Sequence, residues 1–136
     1  MPIQKLLVSA ILATSIALAS CRGTPPFSEK VALVGVDAFE RDRDGQWRPL
    51  SEDIEDPAFL EELSDILFAD SLRWSRMRSG AISLAVSHYF VCELADGRQI
   101  VVYVGDWCLI AGGWTTTVSD DVADRLNDSE IWRSAR

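Results

Sequence analysis

The sequence predicts an α+β domain. An antiparallel sheet, built from an N-terminal hairpin and a three-stranded meander, packs with one main helix and a short C-terminal helix. Three observations carry this expectation. Residues 31–39 and 82–94 are rich in β-branched or alternating apolar side chains, the period-two pattern of half-buried strands. Phe59, Leu60, Leu63, Ile66 and Leu67 share one helical face, with Glu61, Glu62 and Asp65 opposite. Asp-Gly pairs at 44–45 and 96–97 mark hairpin turns.

In chain order, residues 31–39 (VALVGVDAF) form the first strand and residues 41–45 its turn. Residues 46–48 return until Pro49, which lacks the N–H a ladder needs, stops the strand. Asp56 caps the main helix, 57–69, and Pro57 takes its first position, where a missing N–H costs nothing. After Ser79-Gly80, an alternating stretch puts Ile82, Leu84, Val86, His88, Phe90, Cys92 and Leu94 on one face. Asp96-Gly97 returns the chain through 100–104, and Gly105-Asp106 turns it into a last strand over 107–118. Ser119 caps a short helix, 120–127, whose first turn holds Asp120 and Asp121 against the positive end of the dipole.

A length of 136 residues allows one domain. The formal net charge of −8 argues against nucleic acid, which requires a basic footprint. One His and three Cys leave little material for metal or nucleophilic chemistry. Gly-x-Ser-x-Gly, His-Glu-x-x-His, Cys-x-x-Cys and a phosphate-cradling Gly loop are all missing from the sequence. The chain therefore reads as a non-enzymatic protein without a cofactor.

Lys5 is followed by an apolar run to Leu18, too short to span a bilayer but suited to a signal-peptide core. The run ends Leu18-Ala19-Ser20-Cys21. Over residues 1–21 this resembles the lipobox of bacterial lipoproteins. The resemblance implies cleavage after residue 20, acylation of Cys21 and a membrane as the first partner. Several acyl chains on one residue suffice for stable anchoring. Arg22 stands where an Asp would signal inner-membrane retention, so in a Gram-negative host the periplasmic face of the outer membrane is expected. Residues 21–30, with Pro25 and Pro26, read as a lipidated tether, and 31–136 as the folded domain.

Several residues are candidates for a site. An oxidising compartment invites a Cys92–Cys108 disulfide. With two-residue turns at 96–97 and 105–106, Cys92 opposes Val101 and Cys108 opposes Tyr103. The thiols then share a face but lie about 11–12 Å apart across a middle strand, whereas a disulfide needs Cα atoms within about 7 Å. Only a bulge or another strand order would join them, so a disulfide and two buried thiols both stay open. His88 reads as a structural histidine on the core face. Glu40, Asp42 and Asp44, followed by Gly45, form a partial calcium loop or a solvated turn. Glu52, Asp53 and Glu55 begin an acid-rich run that complements the helix dipole or steers a basic partner. Five tryptophans are many for this length: Trp47, Trp74, Trp107, Trp114 and Trp132. In the meander, Trp107, Tyr89, Val102, Val104 and Leu109 share the face opposite Trp114, Ile110 and Val118. Both faces are then apolar, and the second needs cover from the chain's own elements or from a partner. The expectation is an envelope protein-binding module, with an inhibitor or immunity protein as one form of it, or else an accessory subunit of an envelope assembly, with a small envelope enzyme as the third reading.

Overall fold

The computed structural model describes residues 24–77 and 86–135. Cys21, the leader, Ile82 and Leu84 lie outside the described residues. Among the described residues seven strands form one sheet: β1 (Leu33–Arg41), β2 (Trp47–Ile54), β3 (Ser75–Arg76), β4 (His88–Leu94), β5 (Gln99–Val104), β6 (Cys108–Ala111) and β7 (Trp114–Thr117). The helices are α1 (Pro57–Leu67), α2 (Asp120–Leu126) and α3 (Ser129–Ser134). Every neighbouring pair is antiparallel, in the order β2-β1-β4-β5-β6-β7-β3. The α+β architecture with a main helix and short C-terminal helices follows the sequence pattern. The strand count does not, and each difference has a local cause.

Pro49 does not end β2. It sits within the strand opposite Phe39, and this is tolerated because β2 is the sheet edge and has no outer neighbour to receive an N–H. The 107–118 stretch is a hairpin, because Gly112 and Gly113 both take positive φ and fold Trp114 back onto Ala111. That turn has the Gly-Gly signature of a type I′ connection. Asp56 caps α1 as expected, its carboxylate accepting from the Phe59 N–H at 3.1 Å.

The register of the meander differs by one residue, and the reason is turn type. Leu94 N–H donates to Arg98 C=O and Gly97 N–H to Leu94 C=O, so residues 95–97 form a three-residue loop. Gly97 closes it at φ 92°, the left-handed position that ends such loops. The first hairpin repeats this: Asp42 pairs with Gln46 and Gly45 sits at φ 80°. Cys92 consequently faces Ile100, not Val101. Because side chains alternate with period two, a one-residue slip carries β5 and β6 to the other face, while the Gly112-Gly113 turn returns Trp114 to the core side.

One face of the sheet is therefore the core side. It carries Val36, Phe90, Cys92, Val102, Val104 and Leu109, each no more than 2% exposed. Leu60, Leu63 and Leu67 of α1 cover it. Trp132 of α3 completes the cover, 5.0 Å from the Phe90 ring, with its indole N–H donating to Leu126 C=O at 2.9 Å. Burying one such side chain contributes about 3 kcal/mol, which explains why so short a helix holds its place.

The folded unit begins before residue 31. Phe27 is buried against Phe68 and Trp74, with ring centroids 5.2 and 6.0 Å away. The segment expected to be a free tether is thus partly docked, because an aromatic ring in it completes the core beside the end of α1. Both sheet edges are blunted. β2 has Pro49 and irregular pairing with β1 around Ala38, and β3 has two residues, so neither offers a long strand template.

Candidate functional site

The helices lie against the core side, and the outer side of the sheet keeps a partly exposed aromatic cluster. Phe39 of β1 stacks on Tyr89 of β4 at 4.7 Å and 15°. Trp47 of β2 meets the same Tyr89 edge-on at 4.7 Å. Tyr103 of β5 stands 5.3 Å from Tyr89. Sequence and register explain the assembly: Phe39, Tyr89 and Tyr103 are direct cross-strand partners, the arrangement in which aromatic pairs gain most. The Arg41 guanidinium lies 4.6 Å over the Trp47 ring, a cation–π contact at the rim. Val101 and Tyr103 are 37% and 39% exposed, so this apolar surface continues along β5.

About 13 Å along β1 from Phe39, the same face turns acidic. Asp37, Asp53, Glu55 and Glu93 surround a small depression beside Gly35. Asp37 accepts from the Asp53 N–H at 2.7 Å. That bond fixes Asp53 at φ 55°, a left-handed conformation that Asp tolerates better than most residues.

Of the residues expected to form a partner face, Tyr89 lies at the centre of the cluster. Trp107 is 54% exposed in the β5–β6 turn. Val102, Val104 and Leu109 are fully buried and cannot meet a partner, a direct consequence of the shifted register. Asp53 and Glu55 join the acidic end, and Glu52 is exposed on the edge strand. Ile110 pairs with Tyr103 on the outer side and so parts from Trp114 and Val118. Phe39, Val101 and Tyr103 are not among the residues the sequence singles out, and Trp47 is singled out there only as one of five tryptophans. The signal for Phe39 and Trp47 was their placement either side of an Asp-Gly hairpin.

Cys92 and Cys108 are free and buried thiols. They do not share a face: Cys92 pairs with Ile100 on the core side, whereas Cys108 lies one residue before Leu109 and points the other way. Burial pushes both thiols above the ordinary range. The calcium-loop residues are also separated. Asp42 closes the hairpin, accepting from the Asp44 and Gln46 N–H groups at 2.9 Å and pairing with Arg48. The Arg48 hydrogen bond is the main reason its carboxyl lies below the ordinary range. Glu40 projects to the core side, where it binds Ser129 and Arg133. Among the described residues, no three His, Cys, Asp or Glu side chains converge on a metal position.

His88 is the centre of a polar latch. Its ring nitrogens lie 2.9 Å from Ser87 Oγ and 3.0 Å from Ser129 Oγ. Ser129 in turn donates to Glu40 at 2.6 Å, which leaves its oxygen to accept from His88 Nε2–H. A serine nucleophile needs the reverse, with its proton directed at the imidazole. Neither large depression on the helical side is lined by Ser129, His88 or Glu40. The bonds tie α3 to β1 and β4.

The fold and surface define a small α+β domain with helices on one sheet face and an aromatic, acid-flanked surface on the other. Comparison with protein-family models, curated proteins and solved structures finds no match to the chain.

Proposed function

We propose that the chain is a lipid-anchored envelope lipoprotein that works as a non-enzymatic protein-binding module, docking its partner on the outer sheet face. The observation that carries this reading is the part-exposed cluster of Phe39, Trp47, Tyr89 and Tyr103. Aromatic anchors dominate protein interfaces, and an acidic flank favours a partner with a basic rim. An inhibitor or immunity protein that blocks a basic enzyme or toxin fits this surface.

Geometry supports an anchored form. Five residues separate Cys21 from the buried Phe27, a reach of about 20 Å at most. β1 then runs about 20 Å from Leu33 to Phe39. The aromatic cluster thus lies at the far end of β1 from where the chain enters the sheet, and an anchor at Cys21 would leave it open to a partner in the aqueous compartment. Among the described residues no helix is long and apolar enough to cross a membrane.

The test places a photo-crosslinking residue at Val101 or Tyr103 in the native host, with Glu61 on the helical side as control. One protein adduct from the sheet positions, absent from the control and lost on adding Trp47→Asp, is the expected outcome. Equal adducts at all three positions refute the docking face. Intact mass of the membrane-extracted chain must show acylation at Cys21; an unacylated chain refutes the anchor.

A further inference from the structure

We propose that a second copy of the chain is the resting occupant of the outer sheet face. Two copies dock face to face with their strands reversed, and the partner of the proposed function displaces one of them. This rests on the reading of that face as a docking surface and names what covers it between encounters.

The pairing register sets a continuous apolar row across the face. Pro49, Phe39, Tyr89, Tyr103 and Ile110 are successive cross-strand partners from β2 to β6. Two residues along the strands, Asp37, Val91 and Val101 form a second row.

Charge is separated along the strand direction. Arg41 lies two residues, about 7 Å, beyond the aromatic row, with its guanidinium over Trp47, and Arg43 follows in the hairpin. Among the described residues neither pairs with a carboxylate. Arg48 offsets Asp42 there, so Arg41 and Arg43 outweigh Asp44 and this end is positive. Asp106 belongs to the β5–β6 turn, two strands from β1. At the opposite end, about 13 Å from the row, Glu55 and Glu93 stand beside Gly35, and neither meets a cation among the described residues. Asp37 accepts from the Asp53 N–H, a bond that brings no counter-charge.

One face therefore displays both halves of a complementary pair. A twofold axis running across the strands at Ala38, midway between Gly35 and Arg41, reverses one copy on the other. Tyr89 and Tyr103 then meet Val91 and Val101 of the second copy. Arg41 comes over Gly35 of the second copy, where no side chain blocks it and Glu55 and Glu93 lie on either side. Docking with strands parallel sets acid on acid and Arg41 on Arg41, so charge selects the reversed arrangement. The interface is isologous and closes at two copies, with the aligned packing of two sheet faces. Five strands at about 4.8 Å spacing and a length of about 20 Å give about 500 Å² per copy. The total, about 1,000 Å², is the lower end of specific interfaces, which keeps the dimer reversible and the face available to a tighter partner.

Sedimentation equilibrium of the full mature chain in a density-matched detergent, with micelles in excess, tests this. A monomer–dimer equilibrium with a dissociation constant on the order of 10 μM is expected. Arg41→Glu and Glu93→Arg should each weaken it roughly tenfold, because each symmetric dimer then holds two like-charge contacts. An equimolar mixture of the two variants should regain the wild-type affinity, since both contacts become opposite in sign; a variant that had failed to fold could not be rescued by mixing. Tyr103→Asp should weaken the dimer roughly tenfold or more, and Glu61→Gln on the helical side should leave it unchanged. A chain still monomeric at roughly twentyfold that concentration overturns the proposal. So does a dimer indifferent to Tyr103→Asp, or a mixture that regains nothing. Any of these leaves the outer-face reading standing, because that reading is decided by the partner adduct at Val101 or Tyr103 in the native host.

Discussion

Replacing Val102 by Thr, and separately Val101 by Thr, tests the register on which the outer face depends. Thr keeps the shape and β-branching of Val, so strand propensity changes little and polarity is the variable. Val102 is fully buried between Phe90 and the helices, whereas its neighbour is 37% exposed. Exchanging a buried methyl for a hydroxyl forfeits about 0.8 kcal/mol of transfer free energy. An unpartnered buried hydroxyl costs a further 1–3 kcal/mol or so. Val102→Thr should therefore lower stability by about 2–4 kcal/mol, a drop in Tm of roughly 8–20 °C for a domain of this size. Val101→Thr should stay within about 0.5 kcal/mol. Urea unfolding followed by tryptophan fluorescence measures both, with an unchanged m-value showing that the denatured state is not the cause. Val104→Thr, also fully buried, should behave like Val102→Thr and guards against one hydroxyl finding a fortuitous backbone acceptor. If Val101→Thr is the costly change, the 95–97 loop is a two-residue turn and the argument for the outer face fails.

Gly97→Ala should cost about 1–2 kcal/mol in the same urea assay, because an Ala at φ 92° meets its own carbonyl. Thr116 carries a buried hydroxyl without a partner, so Thr116→Val should raise stability by about 1 kcal/mol, read as a higher urea midpoint. Neither Cys92 nor Cys108 should take up iodoacetamide in the native chain, and both should after unfolding without reductant; mass spectrometry gives the count. Burial holds the His88 imidazole below its ordinary value of 6.5, against the opposing pull of Glu40. The folded state therefore binds that proton less readily than the unfolded one. This contribution is complete above pH 6.5 and is lost as pH falls through the lowered value. His88→Gln should flatten the pH dependence of the urea midpoint between pH 6.5 and about 5, above the range where carboxylates titrate.

Short-range physics made much of the fold legible. α1 was readable because its determinants lie within twelve residues: the Asp56 carboxylate that accepts an orphan N–H, Pro57 at a position with no N–H to lose, and the apolar stripe. Ser119 announced α2 in the same way, its side chain accepting from the Val122 N–H at 3.3 Å. α3 was not legible, since one turn and a half of helix has no stability of its own and depends on Trp132 finding Phe59 and Phe90.

The candidate site was half legible. An exposed apolar sheet face followed from alternation on both sides of the strands, and Tyr89 was assigned to it from the pattern alone. Which other residues share that face was beyond the sequence, because Asp-Gly closes two-residue and three-residue loops alike and the choice inverts the side chains of the strands that follow up to the next turn. The helices settle the choice by covering the side that holds Phe90 and Val102.

By itself, then, the sequence determined the α+β class, the positions of α1 and α2 and the acidic character, each encoded in residues close along the chain. Tertiary structure alone decided that β1 lies beside β4, which brings Phe39 and Trp47 onto Tyr89 and Tyr103. Those pairings join residues about fifty apart in sequence, and no local propensity acts over that separation. They form because the two strands and the helices bury one continuous core, a gain that exists only when all of them are assembled together.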